Sequence, residues 1–135
     1  MTNVELAQML GLPAPPCLPR VRALEESGVI RSYHADLDAA KLGYGITVFA
    51  MVSLRSQAEA DLKAFEDYVG ELAEVRECYM LNGEIDFLLK VVARDLQSFQ
   101  SFLTAHLTSA PNVTSVKTSL TIRTAKQLAG IPVES

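Results

Sequence analysis

The sequence has few of the residues that build metal sites and disulfide frameworks. Its cysteines, Cys17 and Cys78, and its histidines, His34 and His106, number two of each. No CxxC pair occurs, and no histidine lies at ligand spacing from a cysteine, which excludes the usual zinc and disulfide patterns. We therefore expect both cysteines to be reduced packing residues and expect no metal site.

The chain also lacks the residue sets that catalysis requires. It has no paired carboxylates in a polar pocket context, no glycine-rich phosphate loop after a strand, and no Ser, Cys and His set that the spacing brings together. His34 and His106 are isolated, so each is more simply a surface or packing residue. We expect no catalytic residue and no cofactor, and we keep a small ferredoxin-like enzyme as a distant alternative.

Long hydrophobic runs and an excess of positive charge are missing as well. The longest apolar runs have the length of strands, and nothing near the start resembles a signal peptide, so we expect no membrane span and a cytoplasmic protein. The chain has 12 Lys and Arg residues against 16 Asp and Glu residues, a net charge of −4. A nucleic-acid binder with this balance must use a local basic patch.

The first 31 residues have the pattern of two short helices joined by a turn. Thr2 and Glu5 form a capping box, which predicts a helix from about Asn3 to Leu10. Prolines then crowd residues 13–19, and proline is tolerated only in the first turn of a helix. The second helix is therefore predicted at Pro19–Ser27, closed by Gly28.

The remainder of the chain alternates between strand and helix periodicity. A strand at residues 46–54 is apolar on both faces, with Val48 and Val52 on one side and Phe49 and Met51 on the other. The elements predicted after it are a helix marked by Leu62, Phe65 and Val69, strands at Val75–Leu81 and Asp86–Ala93, a helix marked by Leu96, Phe99, Leu103 and Leu107, and a strand at Val113–Arg123.

This order predicts an α+β fold, a ferredoxin-like βαββαβ domain with a four-stranded antiparallel sheet behind a partial winged helix-turn-helix head. Both helices of such a domain cover one face of the sheet. The other face would expose Phe49 and Met51, or the alternate residues of the strand if the register is shifted by one. An apolar face of that size predicts homo-oligomerisation. The predicted divisions are a head at 1–31, a linker strand and hinge at 32–44 with the boundary near Gly43 and Gly45, the sheet domain at 45–126 and a tail at 127–135.

The turn between the second and third strands contains one unusual residue. Asn82-Gly83 is the strongest short hairpin signal, so a plain turn accounts for both residues. A plain turn accounts less well for Asp86, a poor strand former that begins an otherwise apolar strand. Asp86 is therefore the best candidate for a functional side chain in this domain.

Several stretches in a fixed order carry a resemblance to a known family. They are Asn3-Val4-Glu5-Leu6-Ala7, Cys17 followed by Arg20-Val21, Leu24-Glu25-Glu26-Ser27-Gly28-Val29-Ile30, Tyr33-His34-Ala35, Lys41-Leu42-Gly43-Tyr44, Asn82-Gly83-Glu84-Ile85-Asp86 with the strand up to Val91, and a last strand ending at Arg123 and Lys126. Together they resemble the Lrp/AsnC (feast/famine) family of transcription regulators. The resemblance implies a DNA-binding regulator that forms dimers and often octamers and binds a small effector, typically an amino acid.

The resemblance also implies where the sites lie. The effector would bind at the turn formed by Asn82, Gly83, Glu84, Ile85 and Asp86, where backbone amides meet its carboxylate and an acidic side chain meets its ammonium group. Thr118, Ser119 and Thr121 could add hydroxyls from a neighbouring subunit, although threonine is also simply common in strands. The candidate DNA-contacting residues are Arg20, Arg22 and Cys17.

Two features of the head depart from the family pattern. Family members carry roughly twenty more residues before the position of Thr2, which form the first helix of the DNA-binding head, and the family's serines in the reading helix are replaced here by Pro13-Ala14-Pro15-Pro16. Residues 1–36 hold three arginines against four acidic residues, a net charge of −1. The alternative is therefore a sensor or assembly modulator that does not read DNA.

Overall fold

The computed structural model describes residues 17–133, so the helix predicted at residues 3–10 lies outside the described part of the chain. These residues divide into two compact units. Residues 38–124 form one unit, and the other contains residues 17–37 together with the segment that begins at Ala125. The division falls after Leu37 and not near Gly43 and Gly45, and it groups the predicted tail with the head.

The helix of the head, α1, spans Cys17–Glu26 and so begins before the predicted start at Pro19. Pro19 lies in the first turn, where an amide has no partner within the helix and the missing N–H removes no helical hydrogen bond. Gly28 follows with a φ of 84°, and its N–H donates to the Glu25 carbonyl at 3.1 Å. The predicted closure at Gly28 is therefore confirmed.

The segment that connects the head to the sheet is irregular. Residues 32–38, which were predicted to begin a linker strand, form no backbone hydrogen bond to a strand of the described chain. A short 3₁₀ turn, Ala40–Leu42, follows and ends at Gly43, whose φ of 91° suits only glycine. The glycine pair therefore shapes a turn inside the sheet unit.

The sheet unit has the predicted ferredoxin-like arrangement. Its elements are β1 (Ile46–Leu54), α2 (Glu59–Gly70), β2 (Val75–Met80), β3 (Phe87–Ala93), α3 (Leu96–Phe102) continued by a π-helical turn (Leu103–Leu107), and β4 (Val113–Leu120). The four strands lie in the order β2-β3-β1-β4, and every neighbouring pair is antiparallel. The last strand ends at Leu120 and not at Arg123, although the Thr121 N–H still donates to the Thr47 carbonyl at 2.9 Å.

The core lies between the two helices and one face of the sheet. Alternate residues of β1 and β3 are fully buried there, and the ring centroids of Phe65 and Phe87 lie 4.8 Å apart. Leu96 is an exception to the predicted helix face, since it is 53% exposed. It is the first residue of α3, and helical side chains tilt toward the N-terminus, so its side chain points beyond the start of the helix.

The opposite side of the sheet, the open face, carries Phe49, Met51, Tyr79, Leu88, Lys90 and Val92. The pairs Phe49–Lys90, Met51–Leu88 and Tyr79–Leu88 place these residues side by side. Phe49 is 37% exposed, which confirms the predicted register of β1. Lys90 forms an ion pair with Glu77 at 3.3 Å. A hydrogen bond from Tyr79, with a smaller contribution from Lys90, holds the pKa of Glu77 below its ordinary value.

Cys78 is a half-buried free cysteine that packs against the core. Burial, with a smaller effect from Glu66, raises the pKa of its thiol to about 11. Since the reactive form of cysteine is the thiolate, this residue is inert near neutral pH. The prediction of a reduced packing residue is confirmed for Cys78.

Candidate effector site and DNA-contacting helix

The loop between β2 and β3 is wider than the hairpin that Asn82-Gly83 predicts. Two-residue hairpins need positive φ at their central residues, and neither Asn82 nor Gly83 has one. The Leu81 N–H donates to the Asp86 carbonyl at 2.9 Å and closes a loop that contains residues 82–85. The explanation of this pair as a tight hairpin turn is therefore wrong.

Asp86 extends the pairing between β1 and β3 with its side chain. Its N–H donates to the Val52 carbonyl at 3.0 Å, and its Oδ2 accepts the Leu54 N–H at 2.7 Å. The pairing between β1 and β3 ends at Val52 and Phe87, so the Asp86 carboxylate supplies an acceptor for the Leu54 amide, which lies just beyond that ladder of backbone bonds. This bond explains why a carboxylate precedes an otherwise apolar strand.

Gln57 is a second polar side chain at this position, and it was not among the predicted site residues. Its Nε2 donates to the Leu54 carbonyl at 3.0 Å and lies 3.4 Å from Asp86 Oδ2. Gln57 lies in the segment between β1 and α2, 29 positions before Asp86. No local pattern joins residues so far apart, so the sequence carries no signal for this contact.

A third loop lies at the same end of the sheet. The Arg55 N–H donates to the Asn112 carbonyl at 2.7 Å, and the Asn112 side-chain amide donates to Asp61 Oδ1 at 3.0 Å. Asn112 has a φ of 65°, a left-handed conformation that asparagine tolerates better than most residues. The preceding proline, Pro111, was a turn signal that could have identified this loop.

The β2–β3 loop combines exposed residues with a partly buried acid. Asn82, Gly83 and Glu84 are exposed, whereas Ile85 and Asp86 are half-buried. Exposed amides can donate to a carboxylate, and the Asp86 carboxylate can accept from an ammonium group. The arrangement can therefore bind a small zwitterion.

The hydroxyls of the last strand are not brought to this loop within one chain. Thr118 pairs with Ala50, and Thr121 bonds to Thr47, so both lie across β1 from Asp86. Two strand spacings amount to about 10 Å, which is too far for one small ligand. Thr118 and Ser119 are exposed on opposite faces of β4, and the buried Thr121 Oγ1 has no hydrogen-bond partner among the described residues.

In α1, the two arginines flank a buried residue. Val21 is buried, and Arg20 and Arg22 are exposed. Successive helical residues are rotated by about 100°, so the arginines project on either side of the buried direction. Glu25 accepts a hydrogen bond from Tyr33 Oη at 2.9 Å, which fixes the linker to the helix. The side chain of Cys17 lies outside the described part of the structure.

Among residues 17–133, no cluster of three or more His, Cys, Asp or Glu side chains could hold a metal ion. None of the helices there is long and apolar enough to cross a membrane. Of the histidines, His34 is exposed, and His106 lies against Phe102 with a distance of 5.3 Å between ring centroids.

Comparison with protein families identifies both parts of the chain. Residues 47–131 match the Lrp/AsnC ligand binding domain, and residues 1–31 match a winged helix-turn-helix DNA-binding domain. The chain belongs to the Lrp/AsnC family of transcriptional regulators. It is 50% identical over 133 residues to the leucine-responsive regulatory protein of Rhizobium meliloti, a match that covers 98% of this chain and 85% of the relative.

Other relatives agree with this assignment. The Bkd operon transcriptional regulator of Pseudomonas aeruginosa is 39% identical, with 88% of this chain and 78% of the relative covered. The crystal structure of a Neisseria meningitidis transcriptional regulator in complex with L-Met matches with a TM-score of 0.85 at 32% identity, over 98% of this chain and 85% of that one. The predicted family, fold class and function as a transcriptional regulator are confirmed.

The Asp86–Leu54 hydrogen bond gives a stability prediction. Asp86→Ala removes the acceptor of a partly buried backbone amide, so the free energy of unfolding should fall by about 1–3 kcal/mol in urea titrations at neutral pH. Asp67→Ala is the matched control, because Asp67 pairs with Lys63 on the surface, and it should change stability little. Equal effects of the two substitutions would contradict a structural role for Asp86.

Proposed function

We propose that this regulator changes its DNA binding when an amino acid binds at the β2–β3 loop. The observation that carries the proposal is the likeness over 98% of the chain to the Neisseria regulator that was crystallised with L-Met. The loop of this chain has the chemistry that an amino acid needs, since exposed backbone amides lie beside a partly buried carboxylate. No catalytic step is required of such a site.

The two oxygens of Asp86 are suited to different partners. Oδ2 accepts the Leu54 N–H and faces Gln57, whereas Oδ1 accepts no hydrogen bond from residues 17–133. Oδ1 can therefore accept from the ammonium group of the effector, while the exposed amides around Gly83 donate to its carboxylate. Thr118, Ser119 and Thr121 would come from a neighbouring subunit, because β1 separates them from this loop in one chain.

An effector bound between subunits can regulate only by favouring one assembly or head geometry over another. Its influence equals the difference between its affinities for the two states. A site shared by two subunits meets this condition, because its geometry changes whenever the subunits move relative to each other. The effector and the DNA would then affect each other's binding by the same factor.

Isothermal titration calorimetry with the twenty amino acids tests the site. At least one amino acid should bind the wild type, and Asp86→Asn, which keeps the shape but removes the negative charge, should weaken that binding at least tenfold. Asp67→Asn, an exposed control on α2, should bind like the wild type. Heat signals indistinguishable from dilution for all twenty would refute an amino-acid effector, and unchanged binding by Asp86→Asn would remove Asp86 from the site.

We also propose that two copies of the chain pair through the open face. The face combines partly exposed Phe49, Met51 and Leu88 with the Lys90–Glu77 ion pair, and apolar residues beside one paired charge suit a self-complementary dimer interface. Assembly of dimers into an octamer would complete the sites that need residues from two subunits.

Sedimentation velocity at micromolar concentration tests the interface. The wild type should sediment as a dimer or a larger species, and Phe49→Glu should shift it toward the monomer because the dimer would bury an additional charge. Leu96→Glu is the control, since Leu96 is similarly apolar and exposed but lies on the helix side of the sheet. A monomeric wild type, or equal shifts in both variants, would count against the open face.

DNA binding is proposed for α1, with Arg20 and Arg22 as the contacting residues. Fluorescence anisotropy with a labelled mixed-sequence duplex at low salt should show weaker binding for Arg20→Ala than for the wild type. The slope of log affinity against log salt concentration should also become shallower, by about one unit for each lost phosphate contact. Arg76→Ala in β2 is the control, because Arg76 donates to the Ala73 carbonyl of its own unit. If Arg20→Ala binds the duplex with the same affinity as Arg76→Ala, Arg20 does not belong to the DNA interface.

A sensor that does not read DNA is the second candidate. The observation that favours it is charge, because residues 1–36 have a net charge of −1 and α1 offsets its two arginines with Glu25 and Glu26. Wild-type protein that binds an amino acid but gives no anisotropy change with DNA at low salt would support the sensor. Binding that salt weakens steeply would support the DNA-binding regulator.

A further inference from the structure

We propose that Gln57 is a positioning residue of the effector site, which holds the Asp86 carboxylate so that Oδ2 faces the protein and Oδ1 faces the effector. The inference rests on the proposed amino-acid site and names a residue outside the β2–β3 loop as part of it. Gln57 precedes α2 and reaches Asp86 across 29 positions of the chain. It therefore joins the β1–α2 segment to the loop that would bind the effector.

The chemistry of the contact requires the amide of glutamine. Gln57 Nε2 lies 3.0 Å from the Leu54 carbonyl oxygen and 3.4 Å from Asp86 Oδ2, and both of these atoms are acceptors. Among uncharged side chains, only an amide NH₂ group has two hydrogens and can donate to both. A glutamate of the same size would bring a second negative charge close to Asp86 and would repel it.

Leu54 completes the arrangement. Its carbonyl accepts from Gln57 and its N–H donates to Asp86 Oδ2, so both backbone groups of one residue orient the pair of side chains. With Oδ2 directed at Leu54 and Gln57, rotation of the carboxylate is restricted. Oδ1, which has no donor among residues 17–133, is then directed away from these partners.

The segment that carries Gln57 is itself held in place. The Arg55 N–H donates to the Asn112 carbonyl at 2.7 Å on one side of Gln57. Ser56 Oγ accepts the Ala58 N–H at 3.2 Å on the other. Gln57 is therefore an exposed side chain on an ordered backbone, and such a residue loses less conformational freedom when it orders a neighbouring group.

The test compares Gln57→Ala and Gln57→Glu with Gln100→Glu. Gln100 is an exposed glutamine on α3, so its substitution introduces the same charge outside both the β1–α2 segment and the β2–β3 loop. Two quantities are measured for each protein: amide hydrogen exchange at Leu54 by NMR, without ligand, and the Kd for whichever of the twenty amino acids binds the wild type, by calorimetry.

Gln57→Glu should speed exchange at Leu54 at least tenfold and weaken amino-acid binding at least tenfold at neutral pH, with a smaller effect for Gln57→Ala and none for Gln100→Glu. Raising the salt concentration should partly slow Leu54 exchange in Gln57→Glu again, because salt screens the repulsion between the two carboxylates. A merely structural loss would not recover in this way.

Unchanged exchange and unchanged Kd in both Gln57 variants would overturn the positioning role while the effector site stands. If no amino acid binds the wild type, the effector site fails and the presentation of Oδ1 to an effector fails with it. Faster exchange at Leu54 in Gln57→Glu would then still show that Gln57 orients the Asp86 carboxylate. The exchange measurement thus separates the two failures.

Discussion

The position of β1 between β3 and β4 is the constraint on which the rest of the sheet unit depends. Side chains alternate along a strand, so the pairing of Val48 with Val91 and of Val52 with Phe87 sends one set of residues into the core and the other to the open face. Val52 and Leu89 are fully buried. A slip by one residue would exchange the two sets, and burial of one set under two helices makes that slip costly.

The same strand connects the two regions to which function is assigned here. Its middle carries Phe49 and Met51 on the open face, and its end carries Leu54, whose backbone bonds to Asp86 and Gln57. A shift in subunit packing against the open face would act on a strand whose end organises the β2–β3 loop. Coupling between assembly and effector binding then needs no long pathway, since one rigid element touches both.

Sequence periodicity predicted the layers of this fold because the hydrophobic pattern is strong in each element. Phe65 and Val69 mark the buried side of α2, so the order of elements and the side of the helix that covers the sheet could be derived. The sequence of β1 is apolar on both faces, so its pairing with β3 was needed to decide which face is covered. The predicted ends of the elements were less accurate. The start of α1, predicted at Pro19, lies at Cys17, because the position of a helix start depends on which amides need partners. The prediction of a tight turn at Asn82-Gly83 was wrong, because the hydrogen bonds of Asp86, which connect the loop to β1, outweigh the local turn preference. The role of Gln57 could not be predicted from the sequence, because its partners come together only when the sheet forms.

In the head, the rotation of α1 and the charges on its surface determine what the helix can bind. Burial of Val21 fixes the rotation of α1, and that rotation separates Arg20 from Arg22 on the helix surface. Glu25 is held by Tyr33, so this carboxylate stays close to the helix and offsets part of the positive charge nearby. Two arginines on separate flanks can contact phosphates on either side of a groove, but they cannot form a dense basic patch. Under the proposed DNA binding, each α1 would therefore supply few phosphate contacts, and several copies acting together in the proposed oligomer would bind DNA more tightly than one.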